Sequence, residues 1–215
     1  MKSNFKINVP VPNVIIAIVG PSGSGKTTMA NVMAEAGIPT IVSYTTRPMR
    51  DGETNGKEHW FVTPDKKPKQ SEMIAYTQFG DYEYWATKSQ ITNLCTYVID
   101  EKGLEYLMSQ ISQSTIVFSV YIDRDIKDIL KSGVDKERCA RDKKRKRMDL
   151  SKYDYVIRNN YTLDEFRNKM CCSRRSCSSY RVLISYRVAS ISASTLVCST
   201  CWCLSQLRQA FLTDA

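Results

Sequence analysis

The chain has 215 residues, 42% of them hydrophobic and 25% charged, with a formal net charge of +9. That length suits one α/β domain with small insertions and is ample for a buried core, and the ordinary globular composition excludes a fibrous or disordered chain. The first apolar run is a short strand with no small-residue cleavage site after it, so no secretory leader is expected and the expected location is cytoplasmic.

The first predicted strand covers residues 14–19, Val-Ile-Ile-Ala-Ile-Val. It leads into Gly20-Pro21-Ser22-Gly23-Ser24-Gly25-Lys26-Thr27, a complete G-x-x-x-x-G-K-[ST] loop, and then a predicted helix over 26–36. Glycines let backbone N–H groups turn inward onto a polyphosphate without Cβ clashes, and the helix dipole adds positive potential there. Lys26 is expected to reach the β/γ-phosphates and the Thr27 hydroxyl to hold Mg²⁺, with Thr28 beside it. The loop thus implies a bound nucleoside triphosphate.

Further strands are predicted at 40–43, 96–99, 116–122 and 153–157, and helices at 88–94, 102–110, 126–131, 136–147 and 163–170. Thr162 followed by Glu165 makes a capping box for the last helix. Strands alternating with helices imply a parallel sheet covered on both faces. Residues 60–84 break the alternation with aromatic-rich strands and the turn Pro64-Asp65-Lys66-Lys67-Pro68. They read as an inserted subdomain of the kind that closes over a second substrate.

The stretch Ser43-Tyr44-Thr45-Thr46-Arg47-Pro48-Met49-Arg50 carries two arginines three residues apart beside hydroxyl donors. Bidentate guanidinium groups suit a monophosphate, although without the surrounding motif they read better as a solvated surface pair. Asp51-Gly52-Glu53-Thr54-Asn55-Gly56-Lys57-Glu58-His59-Trp60-Phe61-Val62 follows. Together these segments resemble the guanylate kinases, whose sequences run S-x-T-T-R-x-x-R and then G-E-x-N-G-x-x-Y-x-F-V. The resemblance extends from about Val14 to Phe166.

The resemblance implies a P-loop NTPase-type parallel sheet flanked by helices, with a monophosphate-binding insert at about 44–86 and a short lid at about 124–148, all within residues 1–170. It implies that Ser43, Arg47 and Arg50 hold the acceptor phosphate, with Tyr84 as a further contact. His59 stands where the family has a tyrosine. An imidazole can still donate to a phosphate, and the alternative is a partly exposed strand histidine. The family's base-reading carboxylate falls near Ala75, with Glu72, Asp81 or Glu83 as substitutes, and its hydroxyl falls at Ala86, next to Thr87. Asp100 matches the second acid of the family's D-x-D-x-x-G segment and is expected in the crevice at a strand's C-terminal end, or else as a helix N-cap.

Arg138 and Arg141 lie on one helix face and match lid arginines that contact the triphosphate, while Lys131 could supply one further cation. Asn159 matches an asparagine near the adenine. The run 143–147 could be a nucleic-acid patch, but a solvated helix face near anionic ligands explains it, so no nucleic-acid partner is expected.

Residues 171–215 differ in kind. They hold six of the eight cysteines, no Lys, Glu, Gly or Pro, and Asp214 as the sole acid. A zinc site at Cys198, Cys201 and Cys203 lacks a second pair and a nearby histidine. A membrane anchor over 188–207 is too rich in Ser and Thr. The segment is expected to lie outside the enzyme core, with no membrane partner. The expected activity is ATP- and Mg²⁺-dependent phosphorylation of GMP or dGMP by a monomer or homodimer. The alternatives are a same-fold kinase for another nucleoside monophosphate and a non-catalytic binding module.

Overall fold

The structure is a computed structural model and describes residues 12–112, 114–134, 137, 139, 140, 142 and 149–172. The chain divides into two compact units, Met1–Asn160 and Tyr161–Ala215. In chain order, β1 (Asn13–Val19) and α1 (Lys26–Glu35) precede the short strands β2 (Thr40–Ile41), β3 (Tyr44–Thr45) and β4 (Trp60–Phe61). The pair β5 (Met73–Phe79) and β6 (Tyr82–Thr87) comes next, then β7 (Leu94–Val98), α2 (Glu101–Gln110), β8 (Thr115–Asp123), α3 (Ile126–Lys131) and β9 (Tyr155–Arg158). The second unit contributes α4 (Leu163–Cys172). Its start carries the capping box: Thr162 N donates to Glu165 Oε2 at 2.9 Å, and Glu165 N donates to Thr162 Oγ1 at 3.3 Å.

The larger sheet runs β2-β7-β1-β8-β9, and every pairing in it is parallel. Its central strand is an unbroken apolar run because both faces are covered; Ile15, Ala17, Ile18 and Val19 are fully buried. The fold is therefore the expected α/β class, a parallel sheet with flanking helices.

The second sheet runs β4-β3-β6-β5, with β3–β4 parallel and the other pairings antiparallel. Tyr44 stacks between Trp60 and Trp85, with ring centroids 6.4 and 5.9 Å away, so three aromatics knit β4, β3 and β6. This sheet has no core of its own. Ile74, Ala75 and Ala86 join Ile15, Ala17 and Tyr97 of the parallel sheet and Leu104 and Leu107 of α2 in one apolar cluster. Burying Leu104 and Leu107 completely supplies roughly 2 kcal/mol each.

The helix expected over 88–94 does not form. Thr87 and Gln90 close a capping box around a single 3₁₀ turn, Lys88–Gln90. Gln90 Nε2 then donates to Val42 O at 2.7 Å, and Leu94 is needed opposite Val14 to start β7. Tertiary pairing wins over the local helical pattern. The strand expected over 40–43 narrows to two residues.

Candidate active site

The parallel sheet brings the motifs together through its topology. Gly20 follows β1, Ser43 lies two residues past β2, Asp100 two past β7, Arg124 follows β8 and Asn159 follows β9. Because all five strands run the same way, these residues leave the sheet at one edge, where open α/β sheets bind ligands.

The loop Gly20–Gly25 is shaped for close approach. A Cβ on Gly20 would sit 2.5 Å from Ile122 O and 2.9 Å from Ser24 Oγ, so no side chain fits. Gly25 caps α1 at φ +106, a left-handed conformation natural to glycine. No side chain caps α1, leaving its first N–H groups for an anion. Lys26 Nζ donates to Gly20 O at 2.8 Å and to Pro21 O at 2.7 Å, so the ammonium lies folded along its own loop. Ser24 is fully buried and its Oγ has no hydrogen-bond partner, an orphan that a phosphate oxygen would satisfy. Thr27 is exposed and Thr28 half-buried at the start of the helix.

Three further residues brace this loop. Asn159, 2% exposed, donates from Nδ2 to Ser24 O at 2.7 Å, and its own N–H bonds Asp123 O at 2.7 Å. Its amide is thus committed to the loop. Arg124 Nη1 donates to Gly23 O at 2.9 Å. Asp142 Oδ2 accepts from Ser22 N at 2.6 Å, so a buried carboxylate already occupies one inward amide. A cavity of about 370 Å³ opens beside these groups, lined by Pro21, Ser22, Arg124, Ile129, Cys139 and Asp142 among others.

A second cluster forms around Arg47. Thr45 Oγ1 accepts from Arg47 N at 3.1 Å, which fixes the chain as it leaves β3. The Arg47 guanidinium, 7% exposed, makes a two-pronged pair with Glu53: Nη1 to Oε2 and Nη2 to Oε1, each 2.8 Å. It lies 5.2 Å over the Phe61 ring. Glu53 Oε2 also accepts from Arg50 N at 2.9 Å. Hydrogen bonds from Arg47, then from the Arg50 backbone, hold the Glu53 carboxyl down to about 2 against the cost of burial. The Arg50 side chain is exposed.

His59 packs edge-on to Phe61 and Tyr84, at centroid distances of 5.8 and 5.6 Å. Burial, reinforced by the Arg47 charge, pushes its pKa down. Ser43 Oγ bonds the Tyr97 hydroxyl at 3.0 Å, and burial pushes that phenol well above its usual range. Arg47, His59, Tyr84 and Phe61 thus form one side-chain cluster, with Ser43 tied to the parallel sheet.

Asp100 acts as an N-cap: its Oδ1 accepts from Gly103 N at 2.7 Å and from Thr77 Oγ1 at 3.2 Å. Ala75 and Ala86 face each other across β5 and β6, 2% and 0% exposed, inside the apolar cluster. None of the residues weighed as substitutes reaches that spot. Glu72 and Asp81 are exposed, and Glu83 is engaged by Lys67 and by Tyr76 Oη at 2.6 Å. Thr87 Oγ1 is taken up by Ser89 at 2.9 Å.

Arg138, Arg141 and residues 143–147 lie outside the described residues, as does 173–215. Lys131 is exposed and lies 3.6 Å from Asp128. Sequence reasoning passed over Glu53, Arg124 and Asp142. Glu53 stood inside a quoted motif without a role, and Arg124 was findable as a cation just past a strand's carboxyl end. Asp142 had no local signal, since its partner is 120 residues away.

A family model described as guanylate kinase matches residues 13–170. A guanylate kinase of Hyphomonas neptunium is 28% identical over 167 residues, covering 68% of this chain and 76% of that protein. One from Wolbachia pipientis wMel is 29% identical over 174 residues, covering 72% and 86%. The crystal structure of guanylate kinase from Anaplasma phagocytophilum is similar in fold, with TM-score 0.56 and 24% identity, covering 77% of this chain and 86% of that one.

Proposed function

The chain belongs to the guanylate kinase family, and from that premise we propose that it transfers the γ-phosphoryl group of ATP to GMP. The observation that carries the reading is the shared carboxyl edge of the parallel sheet, where the intact phosphate loop follows β1 and Ser43, at the head of the arginine-bearing segment, follows β2.

Transfer is in line, and the acceptor phosphate is already ionised near neutral pH, so no general base is required. Arriving triphosphate takes the Lys26 ammonium from the carbonyls of Gly20 and Pro21, and the loop N–H groups and α1 bind the phosphates. Asn159 and Arg124 keep the loop in shape through Ser24 O and Gly23 O. The exposed Thr27 hydroxyl would be the protein oxygen that holds Mg²⁺ brought in with ATP, and the ion would supply neutralisation of phosphate charge. Arg47, Arg50, Ser43, His59 and Tyr84 hold the acceptor phosphate, and Arg138 and Arg141 supply the cations that stabilise the transferring group.

Residues 44–86 serve as the acceptor-binding part, 124–148 as the lid, and 171–215 lie outside the enzyme core. Cys95 and Cys139 are free and buried, which supports a reducing, cytoplasmic setting. Among the described residues no helix is long and apolar enough to cross a membrane.

A second reading, a kinase for another nucleoside monophosphate, is favoured by the facing Ala75 and Ala86, which offer a base no polar group. Coupled ADP release with a panel of monophosphates separates the two. Turnover preferring GMP or dGMP supports the first reading, and equal turnover of all acceptors sinks it. Lys26→Met is expected to reduce kcat at least 100-fold, and unchanged turnover would contradict any phosphotransfer role.

A further inference from the structure

Two buried nitrogens of the acceptor pocket lack a hydrogen-bond partner: Arg47 Nε and His59 Nδ1. Folded proteins pair nearly all such groups, so two on side chains flanking the same Phe61 ring point to a polar ligand, and the Arg47 N–H needs an acceptor. Arg47 is permanently charged, but His59 can change its charge.

The surroundings of His59 set its unliganded state. Phe61 and Tyr84 cover the ring edge-on. Burial and the cation on Arg47 oppose protonation, and Arg50 adds the same sign. Glu53 and the Ser43 carbonyl act the other way, but the Glu53 charge is already matched by Arg47. A carbonyl can meet an imidazole only through an N–H. With an N–H turned to the Ser43 carbonyl, a neutral ring is left with a bare, unpartnered Nδ1 lone pair, which would repel a phosphate oxygen.

We propose that binding of the acceptor phosphate draws a proton from solvent onto His59, so that each nucleoside monophosphate binds together with about one proton. The ring then donates from both nitrogens, one to Ser43 O and one to the phosphate, and an N–H is the only bond formed. This inference rests on the acceptor reading above and adds a property that a tyrosine at position 59 could not have.

His59 is the chain's only histidine, so its ring C–H resonance in the full-length protein is unambiguous. Titrating that resonance with and without saturating GMP is expected to show its pKa rising by about two units or more on binding. Calorimetry of GMP binding at pH 7.5, in two buffers of different ionisation enthalpy, should show uptake approaching one proton. The nucleotide's own second ionisation, near pH 6, contributes little there. His59→Tyr, or His59→Gln should the first fail to fold, is expected to abolish the uptake. Above neutrality the wild-type Kd should weaken by up to about tenfold per pH unit, the limit for one linked proton.

Binding with an unchanged histidine pKa, or with equal uptake in the variants, overturns this inference and leaves the acceptor reading standing. Failure of every monophosphate tested to bind overturns both.

Discussion

Glu53 shows how much one carboxylate can organise. It fills both prongs of the Arg47 guanidinium and accepts from the Arg50 backbone, so it sets the pose of the arginine pair. Its folded pKa of about 2 lies below the ordinary 4.5, so the pair's contribution is full above pH 4.5 and is lost as pH falls toward 2. Glu53→Gln is expected to lower stability by about 2 kcal/mol at pH 7. In denaturant titrations the gap to wild type should close by about pH 2. The same variant should raise the KM for GMP roughly tenfold while sparing that for ATP, since Arg47 loses its backing. Equal shifts in both KM values would show that Glu53 serves the fold alone. The arginines were legible from spacing; their carboxylate partner was not, because motif reading assigns charges to ligands and overlooks pairs within the protein. Asp100 was read as a crevice carboxylate or else a helix N-cap, and the hydrogen bond from Gly103 N is the capping one.

Between β1 and α1 the phosphate loop itself was legible, because its glycines, Lys26 and Thr27 are contiguous in the chain, whereas the residues that brace it, Arg124, Asp142 and Asn159, come from distant chain. Gly20→Ala would drive a methyl group to 2.5 Å from Ile122 O, a backbone atom at the end of β8 that cannot rotate aside. A loss of about 3 kcal/mol or more in thermal or chemical unfolding is expected. A variant as stable as wild type would mean that β8 yields there. Asp142 makes the opposite kind of contact, long-range and electrostatic. Its carboxylate sits on Ser22 N, at a loop that has to accept a polyanion. Asp142→Asn removes that negative charge, and we expect a several-fold lower KM for ATP with little change for GMP. A higher KM for ATP would mean that the carboxylate shapes the loop for nucleotide rather than competing with it. The segment 88–94 failed as a helix for a related reason. Its helical pattern was real, but the pairing of Leu94 with Val14 and the reach of Gln90 to Val42 O come from distant chain.

For the whole molecule, the class of fold was readable from alternating strands and helices, and the common edge follows from parallel pairing. What periodicity could not convey is that the second sheet shares one core with the first through α2. A chain shortened to residues 1–175 is expected to keep its kcat within about twofold and its stability within about 1 kcal/mol. Loss of turnover from a still-folded short form would place residues 176–215 inside the working enzyme. The facing Ala75 and Ala86 have a consequence for descent. A carboxylate at position 75 alone would enter a spot 2% exposed, against the fully buried Ala86, at a cost of several kcal/mol. A single change to an acid there is therefore expected to lose stability before it can gain a contact to a base, so packing, rather than ligand chemistry, holds these two positions apolar.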